Sequence, residues 1–145
     1  MTILPTGECF TDIVEFAEAL TCGGPLCLLD LDGKGFPELD PNAILLVHGV
    51  LHAVNPWRSL RVGDPYAHAW LEQGDAILHA GLWDGRKVYV VFDKAGYYQK
   101  HRIEDATAYT LSEACRQNAA SGHYGPWEER YLALCRQPQP KGATP

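Results

Sequence analysis

The sequence predicts one α+β domain, and three observations carry that expectation. A helical stripe near the N-terminus is followed by β-branched, alternating segments joined by hairpin turns, and the chain then returns to helical signals. At 145 residues, 46% of them hydrophobic and 21% charged, the chain has the size and balance of one globular core. The domain is expected over residues 1–136, with 137–145, "QPQPKGATP", as a disordered tail.

The elements follow in order. In "ECFTDIVEFAEAL", 8–20, Phe10, Ile13, Val14, Ala17 and Leu20 form one helical stripe, while Asp12, Glu15 and Glu18 are expected to face away. Thr6 is a candidate N-cap and "CGGP" at 22–25 a stop. "LCLLDLDG", 26–33, predicts a short strand, and the turn formers of "GKGFPELDPN" predict a loop. "AILLVHGVLHAV", 43–54, has the apolar density of a central strand, and "NPWRSLRVGDPY" reads as a connection.

"YAHAWLEQGDAILHAG", 66–81, predicts a hairpin, and "LWDGRKVYVVF" adds a strand through an Asp-Gly turn. "GYYQKHRIEDATAY" reads as strand, or as turn followed by strand. "TLSEACRQNAASG" has Thr110 and Glu113 in capping-box spacing and Gly122 at its end, so it predicts a helix. "PWEERYLALCR" predicts a short last helix with Pro126 near its start. The expected architecture is therefore a cysteine-bearing N-terminal helix, an antiparallel β-meander and C-terminal helices.

A net charge of −6 argues against nucleic-acid or anionic-membrane partners. No apolar run is long enough to span a bilayer, and "MTILPTGECF" lacks a signal-peptide pattern, so a cytoplasmic location is expected. Five cysteines without a CxxC pair fit neither a zinc ribbon nor a disulfide framework.

Histidines in the hairpin give the first functional candidate. With Gln73 and Gly74 as central turn residues, Glu72 opposes Asp75 and His68 opposes His79. Directly opposed Cβ atoms lie about 4.5–5.5 Å apart, within reach of an imidazole–imidazole hydrogen bond. A one-residue slip of the turn would break the pairing. Cys9 is the second candidate. It falls in the first turn of the first helix, where free amides and the helix dipole favour a thiolate. A helix-start cysteine, a strand histidine and a partner on the next strand form the layout of a cysteine nucleophile site.

The helix-start cysteine with "HAWLE" on a strand resembles the transglutaminase-like and papain-like cysteine hydrolase superfamily. "ECF", "LLVHG", "HAWLE", "YY" and "GHYGPW", in that order, are similar to small phage and bacterial proteins of that kind, over roughly residues 9–127. The resemblance implies Cys9 as nucleophile and His68 as general base and acid, acting on an amide, peptide or isopeptide carbonyl without cofactor or metal. Where the family pattern carries an aspartate on the following strand, this chain has His79. An imidazole can orient His68 but brings no fixed negative charge.

Other readings of the same residues stay open. Cys9 also lies in helical spacing with Ile13, Phe16 and Leu20, as a buried small side chain would. Cys27 and Cys115 are the next candidate nucleophiles. His68 and His79 suit a structural pair. His48 and His52 have the i, i+4 spacing of a zinc pair on a helix, but on a strand they would lie about 13 Å apart. "DLDGKGFPELD" lacks calcium-loop spacing. The alternative function is a non-catalytic binding or inhibitor protein of the same fold, its acidic surface meeting a basic partner.

Overall fold

Helix α1 (Cys9–Cys22) opens the chain, followed by strands β1 (Leu28–Asp30), β2 (Leu45–His52), β3 (Pro65–Gln73), β4 (Ala76–Trp83) and β5 (Arg86–Asp93). Helix α2 (Lys94–Lys100), strand β6 (Ala106–Thr110) and helices α3 (Leu111–Ser121) and α4 (Glu129–Arg136) complete it. The computed structural model describes residues 9–22, 28–30 and 38–136. The Thr6 cap, the "CGGP" stop, most of the loop after β1 and the 137–145 tail lie outside the described residues.

The strands form one sheet in the order β1–β5–β4–β3–β2–β6. β2 to β5 are the expected antiparallel meander, and β6 adds antiparallel to β2. β1 adds parallel to β5 at the other edge, so the sheet is mixed. The α+β class, the cysteine-bearing first helix and the C-terminal helices are as expected. No helix among the described residues is long and apolar enough to cross a membrane.

Local chemistry explains the boundaries. Asp84 and Gly85 both have positive φ (51° and 73°), the conformation an Asp-Gly hairpin turn requires. Thr110 and Glu113 make both bonds of a capping box, and Gly122 ends α3 in the left-handed region. The ambiguous "GYYQK" stretch is helical because the Asp93 carboxylate accepts the Gly96 amide and caps a short turn of helix.

Strand alternation divides the core between the two faces. On one, Ile13, Val14 and Phe16 of α1 pack over Leu46, Ala69, Leu71, Leu78, Ala80 and Val91. On the other, Tyr97 of α2 and Ile103 pack over Val47, Leu51, Trp70 and Ile77. Each large aliphatic side chain fully removed from water contributes about 1.5–3 kcal/mol. Asp12 departs from expectation. It is buried, because Lys87 of β5 reaches across to it at 2.6 Å, whereas Glu15 and Glu18 are exposed as expected. A buried carboxylate needs such a partner.

Gly49 marks a tight contact between β2 and its surroundings. A Cβ there would lie 2.6 Å from Trp70 Cη2 and 2.9 Å from the Asp105 carbonyl oxygen. Trp70 cannot swing aside freely, since its indole N–H donates to Glu72 at 2.9 Å. Gly49→Ala should therefore cost about 1–3 kcal/mol and lower the melting temperature by roughly 3–10 °C. Calorimetry checks this, and an unchanged melting temperature would mean that the strand relaxes around the methyl group.

Candidate active site

The hairpin turns at Gly74 and Asp75, not at Gln73 and Gly74. Gln73 pairs with Ala76, Glu72 with Ile77 and Leu71 with Leu78. Both candidate turns contain the glycine. The chain adopts the one that puts Gly74, at φ 57°, in the first central position, where such a turn needs a positive φ. The register differs by two residues from the expected one. Because side chains alternate with period two, that slip leaves His68 and His79 on the same face as diagonal neighbours rather than direct partners. Their rings still meet: His68 Nε2 and His79 Nδ1 are 2.8 Å apart.

The pair bridges an opening in the sheet. Beyond Leu71 and Leu78 no further pair among the described residues joins β3 to β4, although β3 stays paired with β2 and β4 with β5. In a hairpin closed by Gln73 and Ala76, Leu71 and then Ala69 turn their amides toward β4. Leu71 finds Leu78 there, whereas the Ala69 amide faces the Cys9 thiol and acts to lower its pKa. Cys9, the first residue of α1, thus lies at the opening from the α1 face. His68 and His79 close it from the α2 face.

Polar and aromatic groups line that second face. His68 is 8% exposed, with its ring beside those of Tyr66 and Trp70. The Tyr97 hydroxyl lies 3.3 Å from His79 Nδ1, and the His101 ring lies 4.5 Å from that of Tyr97. Glu72, also buried, accepts from the Trp70 indole and the Tyr98 hydroxyl and pairs with Lys94 at 3.0 Å. α2 is thereby tied to β3 through Glu72 and to β4 through His79.

Burial sets the protonation states. It holds the His68 imidazole well below its ordinary value, with His79 adding to the effect, and pushes His79 down to about 4. Both rings are neutral free bases at pH 7. The helix-start amides were expected to favour a Cys9 thiolate. The Ala69 and Phe10 amides do act in that direction, but burial outweighs them and raises the thiol to about 12. Burial and then the nearby Cys9 sulfur also raise Tyr66 to about 12. No hydrogen bond joins Cys9 to either histidine among the described residues.

The other candidates sit elsewhere. Cys115 and Cys135 are exposed on α3 and α4, and Cys27 lies outside the described residues. His48 and His52 lie on the strand β2, and His52 Nδ1 is 3.1 Å from the Arg102 carbonyl oxygen. Among the described residues no group of three or more metal-ligating side chains converges. Sequence reasoning weighed His48 only as a metal ligand. Its ring is fully buried among Phe10, Tyr109, Trp127 and Tyr131, with neither nitrogen partnered among the described residues. "LLVHG", with the histidine at the inward period of a core strand, was the available signal. No family model, curated protein or solved structure matches the chain.

Proposed function

We propose that this protein is a cysteine-dependent hydrolase or acyltransferase acting on an amide, peptide or isopeptide carbonyl, built on a papain-like or transglutaminase-like core. The observation that carries the reading is the His68–His79 bond of 2.8 Å across the same opening where the Ala69 amide faces the Cys9 thiol. A neutral thiol and neutral imidazoles at one opening point to general-base attack rather than a resting ion pair. As sulfur bonds to the substrate carbonyl carbon, His68 takes the thiol proton. His68 then passes it to the leaving nitrogen as the C–N bond breaks and a thioester remains. Water or an acceptor amine cleaves the thioester. The Ala69 amide, unpaired with β4, supplies a donor for the developing oxyanion.

The second reading is a non-catalytic binding protein of the same fold, possessing an acidic surface for a basic partner. The raised Cys9 thiol favours it, because half-buried Cys9 then carries almost no thiolate at neutral pH.

Thiol alkylation separates the two. With iodoacetamide at pH 7.5 and peptide mapping by mass spectrometry, the hydrolase reading expects Cys9 to react at least as fast as the exposed Cys115. His68→Ala should slow Cys9 by about tenfold or more while leaving Cys115 unchanged. A Cys9 that stays unmodified while Cys115 reacts would overturn the hydrolase reading.

A further inference from the structure

We infer that Tyr97 is a positioning residue that fixes which nitrogens of the His68–His79 pair carry hydrogen, because its hydroxyl and His68 Nε2 converge on one atom, His79 Nδ1, at 3.3 and 2.8 Å. A buried hydroxyl proton needs an acceptor. Tyr97 is 4% exposed, and His79 Nδ1 is the one partner its hydroxyl reaches among the described residues. Nδ1 of His79 therefore presents its lone pair, and the ring hydrogen of His79 sits on Nε2. His68 Nε2, facing that lone pair at the shorter distance, must also be a donor, and the two donors share the one lone pair as a three-centre bond. The lone pair of His68 is then on Nδ1, and this is the nitrogen free to take a proton. The reverse arrangement, with hydrogen on His79 Nδ1, would leave the Tyr97 hydroxyl proton buried without an acceptor.

The hydroxyl is held in place by its own helix. Next to Tyr97, Tyr98 donates to Glu72, and Lys94, one turn earlier, pairs with the same carboxylate at 3.0 Å. Glu72 also accepts the indole of Trp70, whose ring stacks beside His68 at 6.1 Å. One buried carboxylate thus anchors both the helix that carries Tyr97 and the ring that backs His68. The catalytic meaning of the assignment rests on the cysteine-hydrolase reading. The hydrogen placement does not.

Histidine side-chain ¹⁵N–¹H long-range correlation spectra of the full chain at pH 7.5 test it, with resonances assigned through His68→Gln and His79→Gln. Both His68 and His79 should show hydrogen on Nε2. Tyr97→Phe should leave His79 exchanging between its two forms, whereas Tyr66→Phe should not. The same Tyr97→Phe change should slow Cys9 alkylation by up to about tenfold. Hydrogen on His79 Nδ1 in the unaltered protein overturns the assignment, and that spectrum decides even where Tyr97→Phe does not fold. A folded Tyr97→Phe with His79 unchanged overturns the positioning role. An inert Cys9 in the parent sinks the hydrolase reading but leaves the spectral result standing, so the two failures are distinguishable.

Discussion

Between pH 7 and pH 4.5 the protein is expected to lose most of its stability and unfold. Burial depresses His48 to about 3 and His79 and His101 to about 4, and holds His68 well below its ordinary value. Each ring is neutral in the folded chain and takes a proton near pH 6.5 once unfolded. In that window the unfolded chain binds more protons, so stability rises with pH and is lost as pH falls from about 6.5 toward the folded values. His48 is 0% exposed and has no partner on either nitrogen among the described residues, so its contribution is undiluted by solvent. On going from pH 7 to pH 5 it alone removes about 2 kcal/mol from a total of about 5–15 kcal/mol. His68 and His79 act in the same direction.

His48→Phe isolates that contribution. A phenyl ring suits a site walled by Phe10, Tyr109, Trp127 and Tyr131 and leaves no orphaned nitrogen, but its extra carbon crowds Gly125, which packs against the edge of the His48 ring. At pH 7 the variant should lie within about 1–3 kcal/mol of the parent, because crowding at Gly125 opposes the removal of two unpartnered nitrogens. Its stability should fall less steeply with acid, by up to about 1.4 kcal/mol per pH unit. Urea titrations at half-unit steps from pH 7.5 to 4.5 measure both slopes. Equal slopes in parent and variant would show that His48 titrates normally in the folded chain.

Signals that act within a few residues were legible. The Thr110–Glu113 capping box, the Asp-Gly turn at 84–85 and the strand period of β2 through β5 each lie in a short stretch, and each is present. "EQGDA" holds two overlapping two-residue turns sharing one glycine, and the choice rests on which of them puts that glycine in the first central position. The error of two preserved the face, which is why the His68–His79 contact survived a wrong register. α2 was missed because Gly96 and two adjacent tyrosines disfavour a helix, and only the cap from Asp93 to Gly96 argues for it.

What was illegible depends on distant partners. The burial of Asp12 requires Lys87, seventy-five residues on. The parallel edge strand β1 and the return of β6 to β2 leave no trace in the local period. Neither does the parting of β3 from β4, since the alternation of both strands continues past Leu71 and Leu78. The aromatic enclosure of His48 likewise gathers residues from α1, β6, α4 and the turn before it.

Substitution at residue 79 is expected to move turnover in opposite directions, measured against Cys9→Ala, which should abolish it. The nitrogen that meets His68 is His79 Nδ1, two bonds from Cβ through Cγ. An aspartate carries its Oδ1 at the same remove, so His79→Asp keeps an acceptor near the position that His68 Nε2 now addresses. The carboxylate adds the charge that an imidazole lacks and stabilises the imidazolium formed when His68 takes the thiol proton. The pKa of His68 then rises, and the acid limb of the rate profile should move to higher pH while the rate on the plateau is kept or increased. His79→Asn supplies the acceptor without the charge and should stay near the parent. His79→Ala removes the acceptor and should lower turnover by about tenfold or more. A structural role predicts another order. If His79 only packs against Phe92 and Tyr97, at ring distances of 6.3 and 6.1 Å, aspartate should be the worst of the three, through an unpaired charge in a partly buried site. Melting temperatures taken alongside turnover separate the outcomes. An alanine variant as active as the parent, with the aspartate variant merely unstable, would remove His79 from the relay.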